Sequence, residues 1–360
     1  MPAIIKQFFF KSHEMTLSDP RFISLNLWLN RYFSCDVTPV LISGDASFRR
    51  YFRITTADAS YIAADSPPKL VPIAPFIALS HAYASAGLTV PKVIASDAEQ
   101  GFMLLSDLGD TQLLSVLTPL NVGDYYRRAL ALLPQIAAVV DSTNPETGMA
   151  QALPLYDEAF VRRELGIFTE WLLGQHLQLE LSLSEQDLLI QSFDILVDNA
   201  LSQPKVGMHR DFHSRNLMLQ NGQLCVIDFQ DAVIGPVTYD AVSLLRDCYV
   251  RWPQAMVADL MAQHYRQALE HGFIPQDVSF EQYQRWFDLM GLQRHIKAAG
   301  IFARLHYRDN KPAYMADIPL TLTYIVDIAQ NYSELAPLAA WLQARVLPAF
   351  NAARGEGENR

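Results

Sequence analysis

The sequence predicts an α+β fold in two unequal parts, a small sheet-rich part followed by a larger, mainly helical one. Three observations lead to this prediction. Short runs of β-branched and aromatic residues fill the first third of the chain, and turn-forming residues bound each run. Beyond about residue 110, apolar residues recur at helical spacing over long stretches. The chain has 360 residues, 50% of them hydrophobic, which is enough for two lobes.

The small part comprises residues 1–105, which we assign to an N-lobe. Apolar residues at helical spacing predict a first helix from Asp19 to Phe33. A five-stranded antiparallel sheet with one further helix follows. That helix spans Ala74 to Ala86, and Gly87 supplies its C-cap. The predicted strands are residues 38–42, 51–55, 61–64, 90–96 and 101–106.

Residues 106–110, with the sequence SDLGD, are the predicted hinge to a C-lobe of residues 111–360. Ser184, with Asp187 three residues on, is a loose capping box at the start of one C-lobe helix. Asn221-Gly222 lies between the apolar runs NLMLQ and QLCVIDF, which is a strong signal for a two-residue β-hairpin. The predicted C-lobe helices are residues 125–140, 157–176, 184–202, 239–250, 253–271, 280–302 and 337–347.

Charge and cysteine content limit the classes of partner and compartment. The formal net charge of −10 gives no long-range attraction to nucleic acid or anionic lipid. Cys35, Cys225 and Cys248 are far apart, and reduced thiols in a cytoplasmic protein are the simplest interpretation. No apolar run reaches the roughly 18 residues of a membrane span, and Met15 is an alternative start. The sequence therefore implies no nucleic-acid, membrane or protein partner.

One stretch, VGMHRDFHSRNLMLQNGQLCVIDFQDA, combines the polar residues that phosphoryl transfer requires. That reaction needs positioning, a metal to neutralise charge, and a carboxylate to orient the attacking hydroxyl. Asp211 can accept the hydroxyl proton, while Asn216 and Asp228 offer oxygens to Mg²⁺. His209, which belongs to the same catalytic loop, is expected to brace it through hydrogen bonds. The alternative is a polar loop whose side chains only satisfy one another.

The spacing HxDxxxxN, then a hairpin, then IDF is the pattern of the protein-kinase-like catalytic loop and its metal-binding aspartate. HRDFHSRNLM and IDFQDAVIGPVTYDAVSLL resemble the aminoglycoside phosphotransferase and choline kinase group. GDASFRRYFRI, LLSDLGDT and HIKAAGIFARLHYRDNKPAYM are similar to one branch, the bacterial cell-wall-recycling kinases of N-acetylmuramate and N-acetylglucosamine, which act on the anomeric hydroxyl. The resemblance extends from about Leu17 to Leu347.

This resemblance implies a protein-kinase-like bilobal fold with ATP in the cleft. Asp211 would be the catalytic base, and Asn216 and Asp228 would be the Mg²⁺ ligands. The backbone of Leu104–Asp107, including Leu105, would meet the adenine edge at the hinge. The expected enzyme is an ATP- and Mg²⁺-dependent small-molecule kinase.

The loop between the first two predicted strands occupies the place of a phosphate-covering loop. It has one glycine, although its small residues still let backbone amides approach a phosphate. A plain hairpin turn is the alternative. The residues of this loop that we assign to nucleotide binding are Ser43, Gly44, Asp45, Ser47, Arg49 and Arg50.

The third predicted strand departs from the kinase pattern. It carries no lysine for the phosphates, and the helix after it carries no partner glutamate. Arg49, Arg50, Arg53 and Lys69 are candidates to replace the lysine, and Arg50 is preferred. An inactive pseudokinase is the alternative, although the three catalytic-side residues remain.

The resemblance also implies that Asp240 braces the catalytic loop by hydrogen bonds. Asp231 could meet a sugar hydroxyl or be an exposed loop acid. A polar cluster follows the helix that we expect to end near Phe302. An arginine there could clamp the lactyl carboxylate of N-acetylmuramate, or the cluster could be a solvated loop; His295 and Lys297 on the helix leave the same two alternatives open. The members of the cluster are Arg304, His306, Arg308, Asp309 and Lys311.

The sequence thus predicts a kinase that phosphorylates the anomeric hydroxyl of N-acetylmuramate or N-acetylglucosamine in peptidoglycan recycling. Two alternatives remain open at this point. One is a kinase for another small alcohol, such as an aminoglycoside, choline or a homoserine-like metabolite. The other is a catalytically weak nucleotide-binding scaffold.

Overall fold

A computed structural model describes residues 19–42 and 48–358 of the chain. The predictions for Ser43, Gly44, Asp45 and Ser47, and for the start at Met15, lie outside the described residues.

The first part of the chain forms one helix and then a five-stranded antiparallel sheet that holds a second helix between its strands. The strand order is β1-β2-β3-β5-β4, and every neighbouring pair is antiparallel, as predicted. The elements are α1 Pro20–Phe33, β1 Val40–Leu41, β2 Arg50–Thr55, β3 Ser60–Asp65, α2 Ala74–Ser85, β4 Val93–Asp97 and β5 Phe102–Ser106.

The two faces of this sheet pack against different partners. Phe52, Ala63 and Leu104 lie on one face and form a small separate core with Leu25 and Leu29 of α1. The opposite face packs on α2 and is continuous with the main core of the molecule. Because side chains alternate between faces along a strand, the parity of a residue decides which core it meets.

The second part is mainly helical, with a hairpin and two further strand pairs embedded in it. Its elements are α3 Leu113–Val116, α4 Val122–Leu130, α5 Leu133–Ala137, β6 Asp141–Thr143, β7 Ala150–Ala152, α6 Glu158–Ile167, α7 Leu183–Ser202, β8 Lys205–Met208, β9 Leu217–Gln220, β10 Gln223–Val226, β11 Val233–Pro236, α8 Tyr239–Leu245, α9 Gln254–Glu270, α10 Phe280–Asp309, α11 Ile318–Ala329, α12 Ala336–Trp341 and α13 Leu347–Glu358. A π-helical segment, Phe168–His176, continues α6, a second one, Leu342–Val346, joins α12 to α13, and a 3₁₀ turn, Pro312–Asp317, precedes α11.

Several local predictions are confirmed and others are wrong. The Asn221-Gly222 turn joins β9 to β10, and both residues have positive φ, 50° and 79°. The capping box of α7 uses Ser182 and Glu185 instead of Ser184 and Asp187, because Ser182 is the residue with extended backbone before the helix. The predicted helix over 125–140 is broken into α4 and α5, and the helix over 280–302 continues to Asp309.

Helix α10 is the central element of the C-lobe, and buried residues occur on most of its sides. It passes very close to the junction between α6 and its π-helical continuation. A Cβ atom at Gly300 would lie 2.6 Å from the carbonyl carbon of Ile167 and from the amide nitrogen of Phe168. Only glycine allows this approach, which sets the spacing between α10 and α6. Within the described residues, no helix is both long and apolar enough to cross a membrane.

Candidate active site

The loop between β8 and β9 and the end of the β9–β10 hairpin meet at one place. Asp228 follows β10 and returns beside Asn216, whose Nδ2 lies 3.2 Å from Asp228 Oδ2. The same Nδ2 donates to the carbonyl oxygen of Asp211 at 3.0 Å. The amide of Ile227 donates to the carbonyl oxygen of Asn216 at 3.1 Å, which ties the two segments together. The structure therefore gathers the three residues that the motif singled out.

The backbone on both sides of this site adopts a conformation that side-chain-bearing residues rarely take. Arg210 has φ 77° and Asp228 has φ 64°. The carboxylate of Asp240 accepts hydrogen bonds from the amides of His209, at 2.7 Å, and Arg210, at 3.0 Å. Burial raises the pKa of Asp240 to about 7, and the two amide donors oppose that rise. Asp240 thus holds the strained loop in place, in the bracing position that the family resemblance implied.

Both ring nitrogens of His209 bind the backbone. Nε2 lies 3.0 Å from the carbonyl oxygen of Ile227, and Nδ1 lies 3.2 Å from the amide nitrogen of Asp211. Since a carbonyl oxygen only accepts and an amide only donates, Nε2 carries the proton and Nδ1 accepts. Burial lowers the pKa of His209 to about 4, so the ring is neutral near pH 7. His209 connects the catalytic loop to the strand before Asp228 and has no nitrogen left for proton transfer.

Positive charges surround Asp211. Burial by itself raises the pKa of this carboxylate, but Lys297, Arg210 and Arg294 outweigh burial and hold the pKa well below the usual 3.8. Glu164 on α6 balances part of this charge, because its Oε1 lies 3.0 Å from Lys297 Nζ and 3.0 Å from Arg210 Nη2. Asp211 is therefore an ionised acceptor over the neutral pH range.

The residues beside Asp228 fit a hard divalent cation. Gln230 donates Nε2 to Asp228 Oδ1 at 2.8 Å, and its Oε1 is buried without a hydrogen-bond partner among the described residues. Asn216 needs a rotation of its amide to present the oxygen instead of the nitrogen. The described residues contain no cluster of three acidic, histidine or cysteine side chains that would form a closed metal cage. Two or three protein oxygens suit Mg²⁺, which keeps waters and phosphate oxygens in its shell.

The two arginines of the 49–50 pair lie on opposite sides of the sheet. Arg50 faces α1, where Nη2 lies 2.5 Å from Asp65 and Nη1 contacts Asp19. The structure therefore does not support Arg50 as the phosphate ligand. Arg49 faces α2, with its guanidinium 5.1 Å from the ring centre of Phe76. The ring centre of Phe76 in turn lies 5.0 Å from that of Phe229, the neighbour of Asp228. Two aromatic rings therefore separate Arg49 from the site.

The other candidates on the N-lobe side lie farther from this position. Arg53 pairs with Asp107 at 2.7 Å and with Asp110 at 2.6 Å, at the hinge. Lys69 is exposed in a turn after β3. Leu105 is buried between β3 and β4, and the carbonyl oxygen of Asp107 accepts a hydrogen bond from Gln220 at 3.0 Å. Of the two residues assigned to the adenine edge, Asp107 therefore contacts the β9–β10 hairpin, and Leu105 lies inside the sheet.

The predicted acceptor cluster is helical, because α10 runs through it and ends at Asp309. Arg304 is half-buried, while Arg308 is exposed and pairs with Asp309 at 2.9 Å. The half-buried His306 packs edge-on against Tyr307. The members of the cluster up to Asp309 therefore lie on a helix and not in a loop, while Lys311 follows the helix, and whether any of them binds the acceptor stays a prediction.

The Asp231 side chain is exposed, and its carbonyl oxygen accepts a hydrogen bond from Arg210 at 3.2 Å. Its exposure agrees with the loop-acid alternative. Whether it meets a sugar hydroxyl stays a prediction.

Three residues of the site escaped the sequence reasoning, namely Glu164, Arg294 and Gln230. Glu164 and Arg294 are buried charged residues. They lie on helices that were predicted from the spacing of their apolar residues alone. A charged residue at a core-facing helical position was the available signal, since such residues are rarely buried without a partner. Gln230 follows the IDF motif directly, yet a glutamine has no spacing rule that would assign it to a metal.

Comparison with known proteins places these features in a family context. A model of the phosphotransferase enzyme family matches residues 38–273. A Neisseria meningitidis serogroup B protein named N-acetylmuramate/N-acetylglucosamine kinase is 40% identical over 324 residues, covering 89% of this chain and 95% of that protein. A Pseudomonas aeruginosa protein of the same name is 41% identical over 338 residues, covering 90% of this chain and 96% of that protein.

Solved structures support the same fold. A thermostable mutant of an aminoglycoside phosphotransferase, in ternary complex with ADP and hygromycin B, matches with a TM-score of 0.57. The match covers 86% of this chain and 99% of the other, at 14% sequence identity. At that identity the likeness concerns the fold, and it confirms the predicted small sheet-bearing part and larger helical part.

Proposed function

This chain belongs to the phosphotransferase enzyme family, and on that premise we propose that it is an ATP-dependent sugar kinase. The family and the kinase relatives make it a small-molecule phosphotransferase that uses a nucleotide. The proposal adds the acceptor, N-acetylmuramate or N-acetylglucosamine, and the position of transfer, the anomeric hydroxyl. It also adds a place in peptidoglycan recycling and a cytoplasmic location, where ATP is available.

One observation carries the proposal, namely that the ionised Asp211 lies beside the Asn216–Asp228 pair and close to the cations that hold its pKa low. A carboxylate that stays ionised can accept the hydroxyl proton when the sugar oxygen attacks the γ-phosphorus. The new oxygen–phosphorus bond forms while the bond to the β-phosphate oxygen breaks, and ADP leaves. Asp211 then holds the proton and returns it to solvent after product release.

Other residues of the chain would position these groups. Asn216 and Asp228 would hold Mg²⁺, with Gln230 Oε1 as a further donor. Mg²⁺, when bound, would neutralise the phosphate oxygens and align them. His209 and Asp240 would fix the loop that carries Asp211. These two are positioning residues, because their polar atoms bind backbone groups.

Arg49 is our choice for the cation that replaces the missing lysine of the third strand. It lies on the cleft-facing side of the sheet, next to the loop of residues 43–47, and its Nε donates to Ser66 at 2.7 Å. Its position against Phe76 keeps the guanidinium close to the layer of Phe229 and Asp228. Ser43, Gly44, Asp45 and Ser47 remain proposed phosphate contacts through their backbone amides, and Leu105 and Asp107 remain proposed adenine contacts.

Residues 1–105 and 111–360 are proposed as the two lobes, with 106–110 as the hinge. This division agrees with the end of β5 at Ser106 and the start of α3 at Leu113. Closure about this hinge would exclude water, which otherwise competes with the sugar as acceptor.

The decisive experiment is an ATP-consumption assay with Mg²⁺ and a panel of acceptors, followed by ³¹P NMR of the products. The panel contains N-acetylmuramate, N-acetylglucosamine, glucosamine, choline and kanamycin. We expect turnover of the two N-acetyl sugars and a product signal from an anomeric phosphate. Turnover limited to choline or kanamycin would contradict the proposed acceptor, and no turnover at all would favour a nucleotide-binding scaffold.

A further inference from the structure

Helix α10 presents a row of positive side chains along one face. Arg294, Lys297, Arg304 and Arg308 follow one another at steps of three, seven and four residues, which places them within one narrow stripe of the helix. We call this stripe the basic face of α10. Its inner end, Arg294 and Lys297, acts electrostatically on Asp211, and its outer end reaches the helix C-terminus. The stripe therefore leads from the catalytic carboxylate towards the surface.

The four side chains of the basic face differ in how their charge is balanced. Lys297 pairs with Glu164 at 3.0 Å, and Arg308 pairs with Asp309 at 2.9 Å. Arg294 is buried beside the reacting end and has a single weak contact, with the Cys248 sulfur at 3.7 Å. Arg304 makes no ion pair or hydrogen bond with any described residue, and its Nε is buried.

Arg304 is the member of the basic face that is best placed to bind an anion from solution. Burial and the neighbouring charge of Arg308 both lower the pKa of Arg304, so its charged form is poorly solvated where it stands. A half-buried guanidinium without a partner raises the free energy of the folded protein, because the charge loses part of its hydration. A carboxylate can offset this, since its two oxygens match the two parallel N–H donors of the guanidinium. The nearest acids that act on it are Asp309, which already binds Arg308, and Glu170 and Glu164 on the α6 side.

The distance from the catalytic end suits a substituted sugar. Arg304 follows Lys297 by seven residues, about 10 Å along the axis at the usual helical rise. Long side chains on a helix lean towards its N-terminus, which brings the Arg304 guanidinium back towards Lys297 and Asp211. An acceptor that reaches both ends would therefore have to extend beyond a bare sugar ring, as a three-carbon acidic side group does.

We propose that Arg304 binds the carboxylate of an acidic acceptor sugar while the anomeric hydroxyl of that sugar meets Asp211. The site thereby favours an acceptor that carries a lactyl group over the same sugar without it. This inference rests on the proposed function and adds the residue that distinguishes the two acceptors. Arg294, at the inner end, would serve both acceptors equally.

The test compares kcat/KM for N-acetylmuramate and N-acetylglucosamine in the wild type and in Arg304→Gln. Charge-assisted hydrogen bonds to a carboxylate lead us to expect a fall of about 10- to 100-fold for N-acetylmuramate, carried mainly by KM. The value for N-acetylglucosamine should change less than about threefold, and this also shows that the variant is folded. Arg304→Lys should recover part of the loss, because it keeps the charge but not the fork.

Two further variants separate this role from a structural one. Arg285→Gln, which removes a partly exposed arginine on the same helix that pairs with Glu334 at 2.7 Å, should leave both acceptors unchanged. Glu170→Gln should leave or raise the preference for N-acetylmuramate, since it removes a competing acid. A parallel loss of both acceptors in Arg304→Gln, no loss, or an equal effect in Arg285→Gln would overturn the inference. If the wild type phosphorylates neither sugar, the proposed function itself fails and this inference falls with it.

Discussion

Two charge clusters in this molecule are built from similar side chains but are balanced differently. On the outer face of the sheet, Asp65 lies between Arg21 and Arg50, and Asp19 closes the network by binding Arg50. Around Asp211, Glu164 pairs with Arg210 and Lys297, and Arg294 has no carboxylate partner among the described residues.

The difference separates a structural network from a binding site. Two carboxylates and two guanidiniums that satisfy one another can only fasten α1 to the sheet. A cluster in which Arg294 makes no ion pair with a carboxylate among the described residues retains attraction for a phosphate or a substrate carboxylate. Changes to the first cluster should therefore affect stability alone, while changes to the second should affect catalysis.

The largest effect is expected from Asp211→Asn. Loss of the proton acceptor should lower kcat by about 10²–10⁴-fold and leave ATP binding intact. Steady-state kinetics with N-acetylglucosamine and calorimetric titration of ATP measure the two quantities. Asp198→Asn, at an exposed acid on α7, is the matched control and should behave as the wild type. Turnover of Asp211→Asn within a few-fold of the wild type would remove Asp211 from the mechanism.

Glu164→Gln should destabilise the protein and also slow the reaction. It leaves Lys297 and Arg210 buried without their carboxylate, which typically costs about 3–5 kcal/mol of unfolding free energy. The amides and cations that position Asp211 would shift at the same time, so kcat should fall too. Urea unfolding and the kinetics of the folded fraction provide the two readouts.

Asp65→Asn removes the corresponding carboxylate from the outer cluster. Arg21 and Arg50 are each about one-third exposed at the side chain, 35% and 34%, so water can replace part of the lost contact. We expect a loss of about 1–2 kcal/mol in unfolding free energy and no change in kcat or KM. A catalytic defect in Asp65→Asn as large as that in Glu164→Gln would contradict the division between the two clusters.

Neighbouring arginines on the two faces of the sheet provide a smaller test. Arg49→Met should raise KM for ATP by about 10-fold or more, because it removes a charge-assisted contact to the phosphates. Arg50→Met should lower the melting temperature but leave KM for ATP near the wild-type value. An increase in KM for ATP found only in Arg50→Met would restore the preference that the sequence suggested.

The smallest expected effect concerns pH: the ionisation of Asp211 should not change kcat near neutral pH. Because the pKa of Asp211 lies below its usual 3.8, the base is already ionised and gains nothing as the pH rises. Its stabilising interactions with the cations are present above that value and are lost only at strongly acid pH. With saturating substrates, Asp211 should add no acidic limb to the pH profile of kcat between about pH 5.5 and 8. A limb near pH 7 that persists in Asp211→Asn would report Asp240, whose pKa is raised to about 7. An acidic limb near neutrality that disappears in Asp211→Asn would show that the carboxylate is not held in its ionised form.

The sequence predicted the parts of the fold and site that depend on local signals. The spacing from His209 to Asn216 and the Asn221-Gly222 turn together determine that Asp228 returns to the loop. The choice between Arg49 and Arg50 depends on the parity of the strand and on which face meets α1, and the sequence does not reveal either. A one-residue difference moves a side chain to the other core.

Residues contributed by distant elements were not available to the same reasoning. Glu164 joins the site from a helix 46 positions before Arg210, and no local pattern connects them. The polar residues after Phe302 suggested a loop, although charged residues on the exposed side of a helix continue it equally well. The helix ends only at Asn310, which adopts the left-handed conformation with φ 53°.

Gly300 sets the spacing between α6 and α10 and thereby the distance between the charged groups that the two helices carry. Glu164 stands on one of these helices and the basic face on the other, and the two backbones meet where a single hydrogen replaces a side chain. Replacement by alanine would force the helices apart, and the 3.0 Å contact between Glu164 and Lys297 would lengthen. A single substitution at a residue without a side chain would therefore change the charge balance around Asp211.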